Sequence, residues 1–224
     1  MKPKTLRSTF TVLFAALICL GCFISIPIGP VPITIQNMFA ILAACILGGL
    51  NGAGAVGIFI VLGTIGLPVF SGCHGGVSYL AGPTGGFIIG YFIGALVAGL
   101  IVGTPHTFEK KFSWRNYGII ALAALVGYAL IYVSGIPYFM HVMADTGKEV
   151  SFSKALSLCL IPFIPIDIAK LAVTIPLAAV IRPIAARYFY PPEDDEAIFN
   201  DIKEKTLKRQ AKDASGHGAA QDRK

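Results

Sequence analysis

The protein has 224 residues, of which 13% are Asp, Glu, Lys or Arg and 55% are hydrophobic. Soluble domains carry about 25% charged residues, so this chain lacks the polar surface that a soluble globular protein needs. Residues 8–108 contain no charged side chain at all. These numbers exclude a soluble enzyme, a disordered chain and a disulfide scaffold, and they predict an all-α integral membrane protein.

Apolar stretches that are long enough to cross a membrane follow one another along the chain. A hydrocarbon core of about 30 Å needs roughly 20 helical residues per span. The sequence predicts spans at residues 9–26, 35–50, 52–67, 84–104, 115–134 and 154–186. The second and third spans are short and are separated only by small, flexible residues, so they form either two helices or one long helix.

The basic residues decide between five and six spans. They lie in the N-terminal tail, in the loop after the fourth span and beyond the last span, for example at Lys4, Lys110, Lys111 and Arg187. Short basic loops remain in the cytoplasm. Six spans place all three segments on that side, so we predict a six-helix bundle with both termini in the cytoplasm. The segments that then face outward are 27–34, 68–83 and 135–153.

The composition changes after Tyr190, where two prolines introduce a polar tail. Residues 193–224 hold seven Lys or Arg and eight Asp or Glu. Because the tail is not net basic and has no interleaved aromatic residues, we expect no nucleic-acid partner. We predict a membrane domain at residues 1–190 and a cytoplasmic tail at 191–224 that is partly disordered.

Small residues spaced four apart predict close helix packing in lipid. On the fourth span they are Gly86, Gly90, Gly94 and Ala98, where we expect packing within the chain. On the first span they are Thr11, Ala15 and Cys19, where a protein partner and internal packing are equally expected. A G-x-G-x-x-G match at residues 52–57 follows no predicted strand, so helix packing explains it better than nucleotide binding.

No metal, cofactor or redox site is predicted. Cys19 and Cys22 form a C-x-x-C pattern, but they end a membrane helix and have no second cysteine pair or histidine cluster. We therefore interpret the cysteines in apolar stretches as small buried hydrophobic residues.

Two charged residues stand inside the sixth predicted span, away from its ends. Asp167 and Lys170 are three residues apart and therefore share one face of a helix. An ionisable side chain at membrane depth is costly unless it is paired or faces a cavity. A purely structural ion pair is the alternative, but Pro162 and Pro165 interrupt the helix just before the pair and free backbone groups. We predict a substrate site here.

The predicted outward segments add polar groups and glycines. Residues 30–37 form a stiff, extended approach to the second span, and Gln36 near its end is a candidate ligand-binding amide. Residues 67–76 and 82–86 form a glycine-rich crossing, where the main chain can approach a ligand closely. For each segment, an ordinary solvated loop is the alternative.

Four motifs together resemble the BioY family, the biotin-binding membrane components (S components) of energy-coupling-factor (ECF) transporters. They are residues 30–37 (PVPITIQN), 63–70 (GTIGLPVF), 82–87 (GPTGGF) and 161–170 (IPFIPIDIAK). The resemblance covers roughly residues 8–188 and implies a bundle of the S-component type in the bacterial cytoplasmic membrane. It also implies partners, which are a transmembrane T component and two ATPase subunits.

The resemblance assigns Asp167 and Lys170 to the ligand-binding D-x-x-K of the family, and Gln36 to the glutamine of the first loop. Biotin has a planar ureido group and a carboxylate on a flexible chain. We expect Asp167 to accept the ureido N–H bonds and Lys170 to donate to the ureido oxygen. The alternative assigns Lys170 to the carboxylate of biotin.

Two further positions depart from the family pattern. His74 stands where relatives often have Asn or Ser, and it retains the ability to donate a hydrogen bond to the ligand. Ile88 replaces a residue that is basic in some members, so Tyr91, one turn further on, is the candidate hydroxyl for the ligand carboxylate.

The sequence thus predicts a biotin-uptake component without catalytic activity. It has no Walker motif, so ATP hydrolysis must come from partner proteins, and the small residues of the first span are the predicted contact with the T component. One alternative is a self-sufficient biotin carrier. A second is a membrane enzyme that uses Asp167 as acid or base, which would need another catalytic group at membrane depth.

Overall fold

The computed structural model describes residues 3–105, 114–189 and 203–206. The chain divides into two units, Met1–Phe189 and Tyr190–Lys224. In the second unit, residues 203–206 are helical. The predictions for the rest of the tail, and for Lys110 and Lys111, lie outside the described residues. All that follows concerns the first unit.

The described part of the first unit is mostly helical. Its elements are α1 (Pro3–Leu20), a 3₁₀ turn (Gly21–Phe23), β1 (Ser25–Ile26), β2 (Ile33–Thr34), α2 (Gln36–Leu47), α3 (Gly49–Thr64), α4 (Val77–Leu80), α5 (Gly85–Val102), α6 (Trp114–Asp145), α7 (Phe152–Cys159) and α8 (Ile164–Phe189). Four segments are long and apolar enough to cross a membrane, namely Thr5–Phe23, α5, α6 and Ile164–Tyr188. Helices α2 and α3 are apolar but shorter.

Helices α2 and α3 form a tight hairpin, which confirms that they are two helices and not one. Gly48 separates them and Gly49 begins α3, and their φ angles of +64° and +47° favour glycine. Beyond the turn, a Cβ added to Gly52 would lie 2.5 Å from the Cα of Ala44. Only a residue without a side chain permits this approach, so Gly52 serves helix packing here.

Helices α5 and α6 also pack closely, through the predicted small residues of α5. A Cβ on Gly90 would lie 2.3 Å from the Ser134 hydroxyl and 2.9 Å from the Cα of Ile131. A Cβ on Gly94 would lie 2.5 Å from the carbonyl oxygen of Gly127. The expectation of packing within the chain is confirmed for this helix.

Three predicted helix boundaries are wrong. Helix α1 ends at Leu20 and not at residue 26, because residues 25–26 pair with residues 33–34 as antiparallel strands. Helix α6 continues to Asp145 with Pro137 inside it, so half of the predicted outward segment 135–153 is helical. The sixth predicted span is two helices, since α7 ends at Cys159 and α8 begins at Ile164. The predicted interruption around Pro162 and Pro165 is therefore confirmed.

The small residues of α1 face the bundle. Ala15 is 1% exposed, and the methyl group of Thr11 lies 3.6 Å from the Cβ position of Gly54 on α3. Cys19 is half-buried. Helices of the same chain cover Ala15, so internal packing accounts for this residue, while the contact of the first helix with a partner stays a prediction.

Candidate ligand-binding site

A buried ion pair lies at the start of α8. Asp167 stands in the first turn of this helix, and Lys170 follows three residues later. Their exposed fractions are 6% and 9%, and the ammonium nitrogen lies 3.1 Å from Oδ1 of the carboxylate. Because the turn at residues 160–163 allows α8 to begin here, the carboxylate lies at the positive end of the helix dipole.

The ammonium group of Lys170 joins three parts of the chain. It donates to the main-chain oxygen of Thr34 at 2.7 Å, to Oδ1 of Asn37 at 2.9 Å and to Oδ1 of Asp167. An ammonium group has three protons, so each proton has an acceptor in this state. A ligand that bonds to Lys170 must replace one of these acceptors.

Asp167 is held by two further donors. The amide nitrogen of Asn37 donates to Oδ1 at 3.3 Å, and the hydroxyl of Tyr132 donates to Oδ2. Hydrogen bonds to a charged group are short and directional, so these donors fix the orientation of the carboxylate. The result is a network of α2, α6 and α8 that carries no net charge when both members of the pair are ionised.

A cavity of about 30 Å³ borders this network. Most of its walls are aromatic or aliphatic, with a few convergent polar groups. The lining residues are Val31, Pro32, Thr34, Asn37, Phe87, Tyr91, Ile131, Tyr132, Phe163 and Lys170. The ring of Phe87 contacts the ring of Tyr132 edge to face, with centroids 6.2 Å apart. An apolar pocket with a few fixed polar groups is the usual form of a small-molecule site.

The structure brings three of the five predicted ligand-binding residues together. Lys170 and Tyr91 line the cavity, and Asp167 adjoins it through its bonds to Lys170 and Tyr132. The hydroxyl of Tyr91 lies 3.5 Å from the hydroxyl of Thr34. Their roles in binding a ligand stay predictions.

Gln36 and His74 lie outside the cavity walls. The amide nitrogen of Gln36 donates to the main-chain oxygens of Ile18 at 3.0 Å and Val69 at 2.7 Å, so it ties α1 to the loop after α3. The imidazole of His74 is exposed, stacks on Tyr79 and lies 2.9 Å from the main-chain oxygen of Ser71. In this structure both side chains organise the loops above the bundle.

Sequence reasoning missed Asn37 and Tyr132 as site residues. Gln36 and Asn37 are neighbours at the start of α2, so their side chains point in directions about 100° apart. The motif that contains both does not reveal which of them faces α8. Tyr132 belongs to a long apolar helix, where the sequence offers only its position one turn after Tyr128 as a signal.

Tyr128 and Tyr132 both stand on α6, where Tyr128 is buried and Tyr132 is half-buried. The hydroxyl of Tyr128 is fully buried and has no hydrogen-bond partner within the described residues. Tyr132, one turn later, donates to Asp167. The two tyrosines therefore form a natural pair for comparing a hydroxyl that belongs to the network with one that does not.

A second buried cation lies further along α8. Arg182 is 2% exposed and about 18 Å along the helix from Lys170, at 1.5 Å per residue. Its guanidinium donates to the main-chain oxygens of Cys45, Val102 and Gly103, at 2.8 to 3.0 Å. These carbonyls lie at the C-terminal ends of α2 and α5, where helices have carbonyl groups without intrahelical partners. The sequence analysis did not single out Arg182, although it lies near the end of the sixth predicted span.

The chain is mostly helical, has candidate membrane spans, and carries a buried ion pair beside an apolar cavity. These features define a membrane protein that can hold a small polar molecule within its bundle. The model of the BioY family matches residues 1–187. The chain belongs to the BioY family, and the resemblance that the four motifs indicate is confirmed.

Relatives in this family are named as transporters. The chain is 39% identical over 161 residues to "Biotin transporter BioY" of Thermotoga maritima, covering 72% of this chain and 86% of that protein. It is 36% identical over 178 residues to "Probable biotin transporter BioY" of Pyrococcus horikoshii, covering 80% and 96%. A crystal structure of the S-component for biotin from an ECF-type ABC transporter matches with a TM-score of 0.68 and 27% identity, covering 81% of this chain and 94% of that one.

Proposed function

We propose that this protein is a biotin transporter, which binds biotin in the cavity at Lys170 and serves as the substrate-specific component of an ECF-type system. The observation that carries the proposal is the Asp167–Lys170 pair at an aromatic cavity, in a chain of the BioY family. The named relatives are transporters and not enzymes, and the same holds for this protein.

The chemistry of the network suits the ureido head of biotin. This head is polar but uncharged, with two N–H donors and one carbonyl acceptor in a plane. Asp167 accepts from the N–H groups and Lys170 donates to the carbonyl, so a neutral pair holds a neutral group. Hydrogen bonds to charged groups contribute about 1.5 to 3 kcal/mol each, and the aromatic walls add the burial of the apolar rings.

Biotin is much larger than a cavity of about 30 Å³, so the walls separate when it binds. The segment between β1 and β2 is the part best placed to move. Residues 26–30 are exposed, whereas Val31 and Pro32 line the cavity. Displacing this segment also removes the Thr34 oxygen from Lys170 and frees one ammonium proton for the ligand.

The proposed topology has six spans, with the four long candidate spans joined by the shorter helices α2 and α3. Both termini lie in the cytoplasm, because the basic segments of the chain then share one side. The β1–β2 segment and the loop after α3 face outward, so biotin enters from outside the bacterial cytoplasmic membrane. Uptake then requires a T component and two ATPase subunits, in line with the ECF-type relative.

Calorimetric titration of the purified protein tests the substrate. We expect tight binding of biotin and an affinity at least 100-fold lower for thiamine and riboflavin, which lack the ureido ring. Binding of either of these vitamins as tightly as biotin would overturn the proposed substrate.

The amide of biotin tests which group of the ligand contacts Lys170. If it binds the wild type much more weakly than biotin does, and Lys170→Ala abolishes that difference, then Lys170 holds the carboxylate.

Uptake of radiolabelled biotin by cells that lack their own uptake system tests the partners separately. Uptake is expected only when the T component and ATPases are co-expressed. Equal uptake without them would contradict the ECF assignment and favour a self-sufficient carrier, while leaving the binding site unaffected.

A further inference from the structure

Two cysteine thiols from distant parts of the chain meet above the helix bundle. Cys22 lies in the 3₁₀ turn after α1, and Cys73 lies in the loop between α3 and α4. Their sulfur atoms are 3.7 Å apart, which is van der Waals contact. A disulfide has a sulfur–sulfur distance of about 2.05 Å, so the gap to close is about 1.7 Å.

Hydrogen bonds on both sides of this pair hold the two segments in register. The hydroxyls of Ser25 and Ser71 are 3.0 Å apart, and the Cys22 thiol donates to the main-chain oxygen of Pro68 at 3.6 Å. Below them, the amide of Gln36 bonds to the oxygen of Val69. The loop after α3 is therefore already fixed against the end of α1, and the sulfur atoms meet without any rearrangement of the fold.

The two thiols differ in access to solvent. Cys73 is exposed, whereas Cys22 is 2% exposed. An exposed thiol is the one that an external disulfide reaches first, and the buried thiol beside it is placed to complete the exchange. With the proposed topology this pair faces the oxidising side of the membrane, where disulfides persist.

We propose that Cys22 and Cys73 form a disulfide by exchange with an external disulfide, either a small molecule or a protein. The Cys73 thiolate attacks the external disulfide, which forms a mixed disulfide and releases one thiol. The Cys22 thiolate then attacks the sulfur of Cys73 and releases the second thiol. Two protein thiols are oxidised and one external disulfide is reduced to two thiols, so electrons and protons balance.

The disulfide braces the outer loops without entering the ligand cavity. Neither sulfur atom belongs to the residues that line the cavity, so biotin affinity stays within threefold of the reduced protein. The crosslink joins residues 51 positions apart in sequence, and closing a chain segment of this length restricts the unfolded state. We expect the melting temperature to rise by about 5–10 °C on oxidation.

Peptide mapping by mass spectrometry tests this proposal. The purified wild-type protein is treated with oxidised glutathione and then unfolded, so that N-ethylmaleimide also blocks the buried free thiols. Chymotryptic peptides are analysed without reduction, because no Lys or Arg lies between Cys22 and Cys73. The expected product links Cys22 to Cys73 and leaves Cys45 and Cys159 blocked by maleimide. The matched control Cys159→Ser gives the same link, and Cys22→Ser leaves Cys73 joined to glutathione.

Two outcomes would overturn the proposal. One is a wild-type protein in which Cys73 remains joined to glutathione although Cys22 is free. The other is a link from Cys73 to Cys19 and not to Cys22. The melting temperature of the wild type, measured before and after adding dithiothreitol, gives a second readout that needs no variant. No change in that temperature, with the link present, would contradict the bracing role.

Discussion

Lys170 and Arg182 are both buried cations on α8, but their hydrogen-bond acceptors and their distance from the cavity differ. Lys170 shares its protons among a carboxylate, an amide and one main-chain oxygen, next to a cavity. Arg182 donates to three main-chain oxygens at the ends of two other helices and does not line that cavity. The first arrangement can exchange an acceptor for a ligand group, whereas the second closes the ends of helices that would otherwise have buried, unpaired carbonyls.

A charge that is buried within the helix bundle is therefore not by itself a binding site. A fixed cation that donates to main-chain carbonyls at helix ends contributes to stability. A cation whose acceptors include two side chains and one displaceable main-chain oxygen, beside an apolar cavity, suits ligand binding. Variants that lower the stability of the fold without changing the affinity for biotin, or the reverse, therefore test whether the two cations have different roles.

The largest expected effect on stability is that of Arg182→Met. The substitution leaves three buried carbonyl oxygens without their charged donor, which costs about 3 kcal/mol or more. We expect the melting temperature to fall by about 10 °C, while the folded protein binds biotin within threefold of wild type. Thermal unfolding and titration in the same detergent measure both.

Arg187→Met is the matched control for that variant, because Arg187 is exposed on the same helix. It is expected to shift the melting temperature by less than about 2 °C. An equal loss of stability in both variants would mean that positive charge near the helix end matters, and not the bonds of Arg182 to the carbonyls.

A smaller loss of stability is expected from Gly90→Ala. The added methyl group would overlap the hydroxyl of Ser134 and the backbone of Ile131, so α5 and α6 must separate. Overpacking of this kind costs about 1–3 kcal/mol. In Gly57→Ala the new methyl group would lie 3.6 Å from the ring of Phe92, an ordinary contact, and stability should remain near wild type. Thermal unfolding of the two variants measures the difference. Equal melting temperatures would contradict the close packing at Gly90.

Some features of the fold and of the site could be predicted from the sequence alone, and others could not. Charge-free stretches and small-residue spacing predicted a helical membrane protein and the packing of α5 within the chain, because lipid imposes these patterns locally. Asp167 and Lys170 stood out since ionisable residues are rare inside apolar segments. The partners of those residues were not predictable, because they depend on how α2 and α6 are rotated about their own axes. Arg182 was missed for a related reason: its burial results from contacts with the ends of two distant helices.

Tyr132→Phe is expected to have the smallest effect, and it acts on affinity. Removing the hydroxyl that donates to Asp167 loosens the carboxylate and should weaken biotin binding about tenfold, or 1.4 kcal/mol. Tyr128→Phe removes a buried hydroxyl without a partner in the described residues, and biotin affinity should change less than twofold. Titration of both variants is the measurement. Equal losses would mean that the ligand contacts both hydroxyls and that the network of Asp167 is not the distinguishing feature.

We propose that Asp167 and Lys170 hold the ligand and contribute little to the stability of the fold. The double variant Asp167→Asn/Lys170→Met tests it most directly, because it removes both charges together and leaves neither one buried alone. Replacing a buried ion pair in this way is often neutral for stability. We expect the melting temperature to change by less than about 5 °C and biotin affinity to fall by at least 100-fold. A folded double variant that binds biotin within tenfold of wild type would contradict the account.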